Sequence, residues 1–169
     1  GFALALSKLP ISLYLFSTSA TSREKASNLG LEVEASQDAW SQNAKEADII
    51  AFAWSDDAIS EAINACTFEP SSTQLLLHFS GLLNADDLGA TTALKASLHP
   101  LAACPTPHAA EMVFKNGPLV LEGSTDALAR LEVLTQSLSA DIHYLREGQK
   151  AHYHAGAVLG SNALIGLLH

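Results

Sequence analysis

Two histidines follow apolar runs of the sequence and could move protons for a bound substrate. His78 stands two residues before Ser80, and His99 stands directly before Pro100. An imidazole titrates near neutral pH, so either ring can act as a general acid or orient a substrate. Because Pro100 fixes the turn that aims His99, His99 is the first catalytic candidate, and Ser80 is expected to hydrogen-bond a substrate.

Three apolar runs predict the strands that would position these side chains. They span residues 48–54, 74–79 and 94–98, and continuous hydrophobic runs are typical of strands buried on both faces. Helical patterns separate the runs, and further strands are predicted at residues 11–16, 31–35, 117–122 and 141–145. This alternation predicts an α/β fold with a mostly parallel sheet and helices on both faces. Ligands bind outside the carboxyl ends of strands in such a sheet, which is where both histidines fall.

The composition indicates a folded protein and limits its partners. Of 169 residues, 48% are hydrophobic and 16% are charged, which provides for a sizeable core. A net charge of −9 without a basic run argues against nucleic acid, and no apolar stretch predicts a membrane span. The two cysteines lack CxxC spacing and fit reduced thiols better than a disulfide, so we expect a cytoplasmic protein.

The seven histidines show no spacing that is typical of a metal site. Neither HxxxH nor HExxH occurs, and His152 and His154 point to different sides of a helix. His78 and His99 at adjacent strand ends are the alternative pair of ligands. We therefore expect no metal.

The order of these motifs resembles a known family. The motifs are His-Phe-Ser-Gly from His78, Ser-Leu-His-Pro-Leu around His99, and Tyr153-His154 with Asn162 on a long helix. In this order they are similar to bacterial Rossmann-like proteins with a DUF2520 C-terminal domain. Those proteins resemble the pyrroline-5-carboxylate reductase and F420-dependent NADP oxidoreductase group, and the similarity covers nearly the whole chain.

The resemblance implies two parts of the chain. Residues 1–98 would form a Rossmann-like NAD(P)-binding domain that is incomplete at its N-terminus. Residues 99–169 would hold the end of the sheet and the beginning of an all-α DUF2520-like region, with a long helix at about residues 147–168.

The N-terminal residues resemble the end of a dinucleotide fingerprint. Gly1 and Phe2 look like the last glycine of G-x-G-x-x-G and the start of the helix after it, so they are candidate cofactor-binding residues. The first strand and the earlier glycines would then precede this chain. Because those glycines let the backbone approach the pyrophosphate, we expect the chain alone to bind a dinucleotide weakly.

The loop after residue 16 is expected to choose between NADP and NAD. It offers Ser17, Thr18 and Ser19, with Arg23 nearby. Hydroxyls with a guanidinium suit the 2′-phosphate of NADP, whereas a carboxylate would suit the ribose of NAD. NADP is therefore favoured, NAD stays open, and an ordinary polar loop with a helix cap is the alternative.

The turn Trp54-Ser55-Asp56 and the strand-end His78 complete the expected cofactor-binding residues. In the relatives the matching turn lines the cofactor. The alternative for Asp56 is a helix-capping carboxylate, and the alternative for His78 is a structural hydrogen bond to a neighbouring loop.

The long helix would close the substrate pocket with His154 and Asn162. In the wider β-hydroxyacid-type dehydrogenases the matching helix carries a catalytic Lys and an Asn four residues later. Here Val158 occupies the Lys position, and Lys150 has the wrong spacing. His154 would replace the lysine as proton donor, and a purely structural polar face is the alternative.

The expected function is that of a NADP-dependent oxidoreductase that acts on an unidentified small molecule. The alternative is a nucleotide-binding module without catalysis that regulates through a helical interface. Small residues of the long helix, such as Ala155 and Gly156, allow another helix to approach closely, either from a further C-terminal region or from a second subunit. A homodimer through the C-terminal helical region is expected.

Overall fold

A five-stranded sheet with helices on both faces forms the centre of the protein. The computed structural model describes residues 1–61, 64 and 66–160. The strands are β1 (Ile49–Phe52), β2 (Leu75–His78), β3 (Leu94–Pro100), β4 (Pro118–Gly123) and β5 (Asp141–Tyr144). They lie side by side in chain order, and every pairing is parallel except the antiparallel pairing of β3 with β4. The predicted α/β fold with a mostly parallel sheet is confirmed.

Helices connect the strands. They are α1 (Phe2–Leu6), α2 (Ala20–Ser27), α3 (Gln37–Glu46), α4 (Asp56–Ile59), α5 (Pro107–Asn116), α6 (Thr125–Ser137) and α7 (Lys150–Val158), with a 3-10 helix at Ala85–Leu88. Ser19, Ser36, Thr106 and Ser124 each accept a backbone N–H from the first turn of the helix that follows. A hydroxyl that satisfies such an orphan N–H fixes where the helix begins.

The two faces of the sheet carry different cores. On one face, alternate residues of β2, β3 and β4 pack with α1, α5 and α6, and Leu75, Leu77, Leu98, Leu119, Leu121 and Leu131 are all fully buried there. On the other face, Ile50, Phe52 and Leu76 pack with Ile59 and Leu88. Alternation along a strand sends successive side chains to opposite faces, so each face receives every second residue.

A row of buried polar residues interrupts the second face. His78 of β2 lies opposite Ser97 of β3, and Ser97 lies opposite Glu122 of β4. His78 and Ser97 are fully buried, and Glu122 is 7% exposed. Buried polar groups need partners, so this row requires a polar neighbour above the sheet.

The prediction of strands at residues 11–16 and 31–35 was wrong. The two segments share one isolated parallel bridge, between Phe16 and Glu34. A strand is stable only when neighbouring strands satisfy its backbone, and a single bridge leaves these segments irregular.

The C-terminal helix begins later than residue 147. Gly148 has φ +76°, a left-handed conformation that a helix cannot contain, and α7 begins at Lys150. Residues 161–168 of the predicted helix lie outside the described residues. The predicted boundary between residues 98 and 99 falls inside β3. None of the described helices is both long and apolar enough to cross a membrane.

Candidate functional site

The loop after β2 is built by His78 and Ser80. Nε2 of His78 lies 3.0 Å from the carbonyl oxygen of Asn84, and Nδ1 accepts the N–H of Ser80 at 3.2 Å. The hydroxyl of Ser80 accepts the N–H groups of Leu82 and Leu83 at 3.1 and 2.9 Å. Burial lowers the pKa of His78. His78 is therefore a neutral imidazole that braces the loop with both ring nitrogens.

His99, at the end of β3, pairs with a tyrosine of α7. Its Nδ1 lies 2.6 Å from the hydroxyl of Tyr153, and the two rings meet edge to face at 5.7 Å. Burial raises the pKa of Tyr153 to about 12, so this hydroxyl keeps its proton and can donate it to Nδ1. Burial also lowers the pKa of His99, to about 4. A neutral ring that accepts at Nδ1 carries its own proton on Nε2.

His154 brings a second imidazole to the same place. Its ring centroid lies 6.4 Å from that of His99. A Cβ atom on Gly81 would stand 2.8 Å from Nδ1 of His154 and 2.8 Å from Nε2 of His99. Only glycine fits under the two rings, so Gly81 allows both imidazoles to lie against the loop after β2. Nδ1 of His154 is buried without a hydrogen-bond partner, which leaves it able to bind a polar atom.

Lys150 is the polar neighbour that the buried row requires. Its ammonium donates to the hydroxyl of Ser97, which donates to Oε2 of Glu122 at 3.3 Å. The same carboxylate oxygen accepts the N–H of Ala85 at 2.7 Å. Lys150 is 1% exposed, and burial lowers its pKa to about 8, although Glu122 opposes that shift. These contacts join α7 to the sheet. Ser97 is too deeply buried to act as a nucleophile.

The first pair of candidate cofactor residues packs against α5. A Cβ on Gly1 would stand 2.3 Å from Cβ of Ala110. The ring of Phe2 lies 4.9 Å from that of Phe79 and 5.0 Å from that of Phe114. The side chain of Phe2 is thus part of the core beneath the loop that carries Ser80 and Gly81.

The second group of candidate cofactor residues forms an ordered loop. Nη1 of Arg23 donates to the carbonyl oxygens of Ser17 and Thr18, each at 2.8 Å. Ser19 is the N-cap of α2. The arrangement holds hydroxyl groups and a guanidinium in one segment.

The third group follows β1. Trp54 is 43% exposed and rests edge to face on Phe52 at 5.3 Å. Ser55 is the N-cap of α4 and Asp56 its first residue, so Asp56 stands where a carboxylate favours a helix.

The structure brings together His99, His154 and the loop of Ser80, as the sequence predicts, whereas Asn162 lies outside the described residues. Sequence reasoning missed Lys150 and Tyr153 as site residues. The spacing in the sequence could have indicated both. Tyr153 and His154 follow Lys150 by three and four residues and so share a helix face with it, and Ser97 and His99 are two residues apart and so share a strand face. Among the described residues, no group of three His, Cys, Asp or Glu side chains is arranged to hold a metal.

The fold and the position of the site define a Rossmann-like α/β protein. Its C-terminal part, residues 117–169, matches the family model described as "Domain of unknown function (DUF2520)". The resemblance inferred from the motifs is thereby confirmed. No curated protein matches the chain significantly.

Solved structures show the same fold at low sequence identity. Protein TM1727 from Thermotoga maritima is 21% identical with a TM-score of 0.70, over 98% of this chain and 62% of its own. Prephenate dehydrogenase from Aquifex aeolicus, in complex with hydroxyphenyl propionate and NAD⁺, is 14% identical with a TM-score of 0.72, over 99% and 64%. Pyrroline carboxylate reductase from Plasmodium falciparum, with NADP bound, is 20% identical with a TM-score of 0.65, over 99% and 62%. The chain thus spans less than two thirds of the length of these structures.

Proposed function

We propose that the chain is part of a NADP-dependent oxidoreductase that acts on a small carbonyl or imine compound. The observation that carries the proposal is the convergence of His99, Tyr153 and His154 beside Gly81, at the carboxyl ends of β2 and β3. This edge of a Rossmann-like sheet is where ligands of the fold bind. Fold neighbours with NADP or NAD⁺ bound support a nicotinamide cofactor.

The donor set of the chain fits such a cofactor. Ser17, Thr18, Ser19 and Arg23 would hold the 2′-phosphate, and the turn from Trp54 to Asp56 would face the nicotinamide half. The unpartnered Nδ1 of His154 is free to bind a polar atom of a ligand. When bound, the cofactor supplies or accepts a hydride.

His99 would serve the substrate as a neutral donor. Its Nε2–H hydrogen-bonds the carbonyl oxygen or imine nitrogen and passes its proton to that atom as negative charge develops there. The hydroxyl of Tyr153 gives its proton to Nδ1 in the same step, so the ring is not left as an anion. The phenolate then recovers a proton from water.

Turnover with reduced cofactor tests the proposal. We expect the protein to consume NADPH, supplied at high concentration, with at least one member of a panel of ketones, aldehydes and cyclic imines. His99→Ala should lower that rate by about 100-fold or more, because general acid catalysis contributes on this order. His143→Ala is the matched control, since His143 is an exposed histidine of β5 paired with Asp141.

Two results would contradict the proposal. One is NADPH binding without turnover on the whole panel. The other is a His99→Ala protein that loses stability while its rate stays unchanged. Either would favour a nucleotide-binding module without catalysis.

A further inference from the structure

Lys150 is a buried cation for which the proposed reaction gives no direct use. A lysine that is 1% exposed is rare, because removing an ammonium from water costs several kcal/mol unless polar groups compensate. The compensation here is the hydroxyl of Ser97, supported by the carboxylate of Glu122. Because burying this ammonium is unfavourable, we expect Lys150 to have a role besides packing in the core.

Lys150 connects the strand and the helix that carry the candidate site. Ser97 stands two residues before His99 on the same face of β3. Tyr153 and His154 stand three and four residues after Lys150, on the same face of α7. Lys150 therefore joins the two elements that each carry part of the site, one turn away from the contact between His99 and Tyr153.

We propose that Lys150 is the positioning residue of this site: its buried ammonium fixes α7 on β3 and keeps His99 a neutral hydrogen-bond donor. This inference rests on the proposed function, because a neutral donor is the form of His99 that suits a carbonyl or imine acceptor. Lys150 touches no reacting atom and acts through His99 and Tyr153.

The charges around the site support this role. After burial, the Lys150 ammonium is the largest cause that lowers the pKa of His99, followed by His154, while Asp56 acts in the opposite direction. The groups that face Lys150 or His99 are His78, Tyr153, His154, Glu122, Asp56 and Asp87. Removing the ammonium leaves carboxylates as the nearby fixed charges, and these favour a protonated His99.

Nuclear magnetic resonance of the histidine rings tests the inference without any substrate. We expect Lys150→Met to raise the titration midpoint of His99 by about one pH unit and to weaken the hydrogen bond from Tyr153 to Nδ1. Lys95→Met is the matched control. Lys95 also lies on β3, but it binds the carbonyl oxygen of Gly89 and the carboxylate of Asp86, so both readouts should stay as in the wild type.

A folded Lys150→Met protein with an unchanged midpoint and tautomer of His99 would overturn the inference. If Lys150→Met does not fold, Ser97→Ala decides, because it removes one oxygen atom and leaves the lysine in place. We then expect ring signals of both His99 tautomers, and a single Nε2–H tautomer would count against the role of Lys150.

The outcomes separate this inference from the proposed function. A wild-type protein without turnover would refute the reaction but would leave a shift of His99 in Lys150→Met standing. Turnover in a Lys150→Met protein whose His99 keeps the wild-type titration midpoint would refute the positioning role alone.

Discussion

His99 keeps its neutral form through several causes that act together at the scale of single residues. Burial contributes most, and electrostatic interactions with Lys150 and His154 also lower the pKa of His99. A hydroxyl of Tyr153 that donates to Nδ1 leaves the proton of the neutral ring on Nε2. The chemistry open to His99 is therefore donation from Nε2, and not the titration near neutral pH that an exposed histidine would show.

The depressed pKa of His99 predicts a loss of stability in acid. Its pKa is about 4 in the folded protein against 6.5 in the unfolded chain, so the unfolded chain binds the additional proton between these values. Stability is complete above pH 6.5 and falls as the pH falls towards 4, by about 3 kcal/mol in total from this group. Urea unfolding at pH 7 and pH 4 measures the loss.

His99→Gln tests the assignment of that loss to His99. The variant should be less stable than the wild type at pH 7, and its stability should fall by about 3 kcal/mol less between pH 7 and pH 4. Equal losses in the two proteins would show that other groups cause the acid dependence.

Sequence reasoning reached His99, His154 and Ser80 because each stands at a strand end or on a helix face that periodicity can predict. It rejected Lys150 because it compared only the spacing along one helix. The partner of Lys150 is Ser97, which is 53 residues away in the chain, and only the folded sheet brings them together. The helix spacing could have grouped Lys150 with Tyr153 and His154, but its pairing with Ser97 leaves no local pattern.

At the scale of elements, the proposed cofactor site at residues 17–19 and helix α2 holds groups that would suit either NADP or NAD. The hydroxyls and the guanidinium of Arg23 suit the phosphate of NADP. An open cavity of about 460 Å³ beside Arg23 is also lined by Glu24 and Glu32, and carboxylates suit the hydroxyls of NAD. The hydrogen bonds from Arg23 to the loop favour the first arrangement, because they hold the guanidinium at the hydroxyl groups.

Arg23→Glu decides between the two cofactors. We expect the affinity for NADPH to fall by about 10-fold or more, since a charge-assisted hydrogen bond contributes about 1.5–3 kcal/mol. The affinity for NADH should fall less. Lys25→Glu on the same helix makes the same change of charge at an exposed position and should leave the ratio of the two affinities unchanged. Equal weakening of both cofactors by Arg23→Glu would refute the choice of NADP, and fluorescence titration gives both constants.

Element types were more predictable than pairing partners. The three apolar runs and the segments 117–122 and 141–145 predicted all five strands of the sheet. Helix α5 begins after the N-cap Thr106 with Pro107 in its first turn, which is a common helix start. Residues 11–16 failed as a strand because their β-rich composition cannot supply a neighbour. The late start of α7 depends on one glycine conformation, at Gly148, that a helical pattern does not reveal.

At the scale of the whole molecule, α7 exposes a face of small and apolar residues. Ala151, Ala155, Val158 and Leu159 are exposed there. A Cβ on Gly156 would meet no atom within 4 Å, so this side of the helix is open. The predicted homodimer through the C-terminal helical region stays a prediction, and this face is where it is expected.

Light scattering after size exclusion tests the dimer. We expect twice the 17.8 kDa mass of the chain, and we expect Ala155→Glu to shift the protein to a monomer because it places a carboxylate on the open face. Ala102→Glu, in an exposed loop before α5, is the control and should leave the dimer intact. A wild-type monomer over the whole accessible concentration range would refute the prediction.

The contact between Lys150 and Ser97 has a mechanical consequence. It acts as a pivot: α7 is held at its first residue, and His154 stands about 6 Å further along the helix axis. A tilt of about 10° around that pivot would displace His154 by about 1 Å, enough to open the short contact of its neighbour Tyr153 with His99. A displacement of the C-terminal end of α7 would therefore also move Tyr153 and His154, which lie about one turn from the pivot. We expect such a displacement to change which nitrogen of His99 carries the proton.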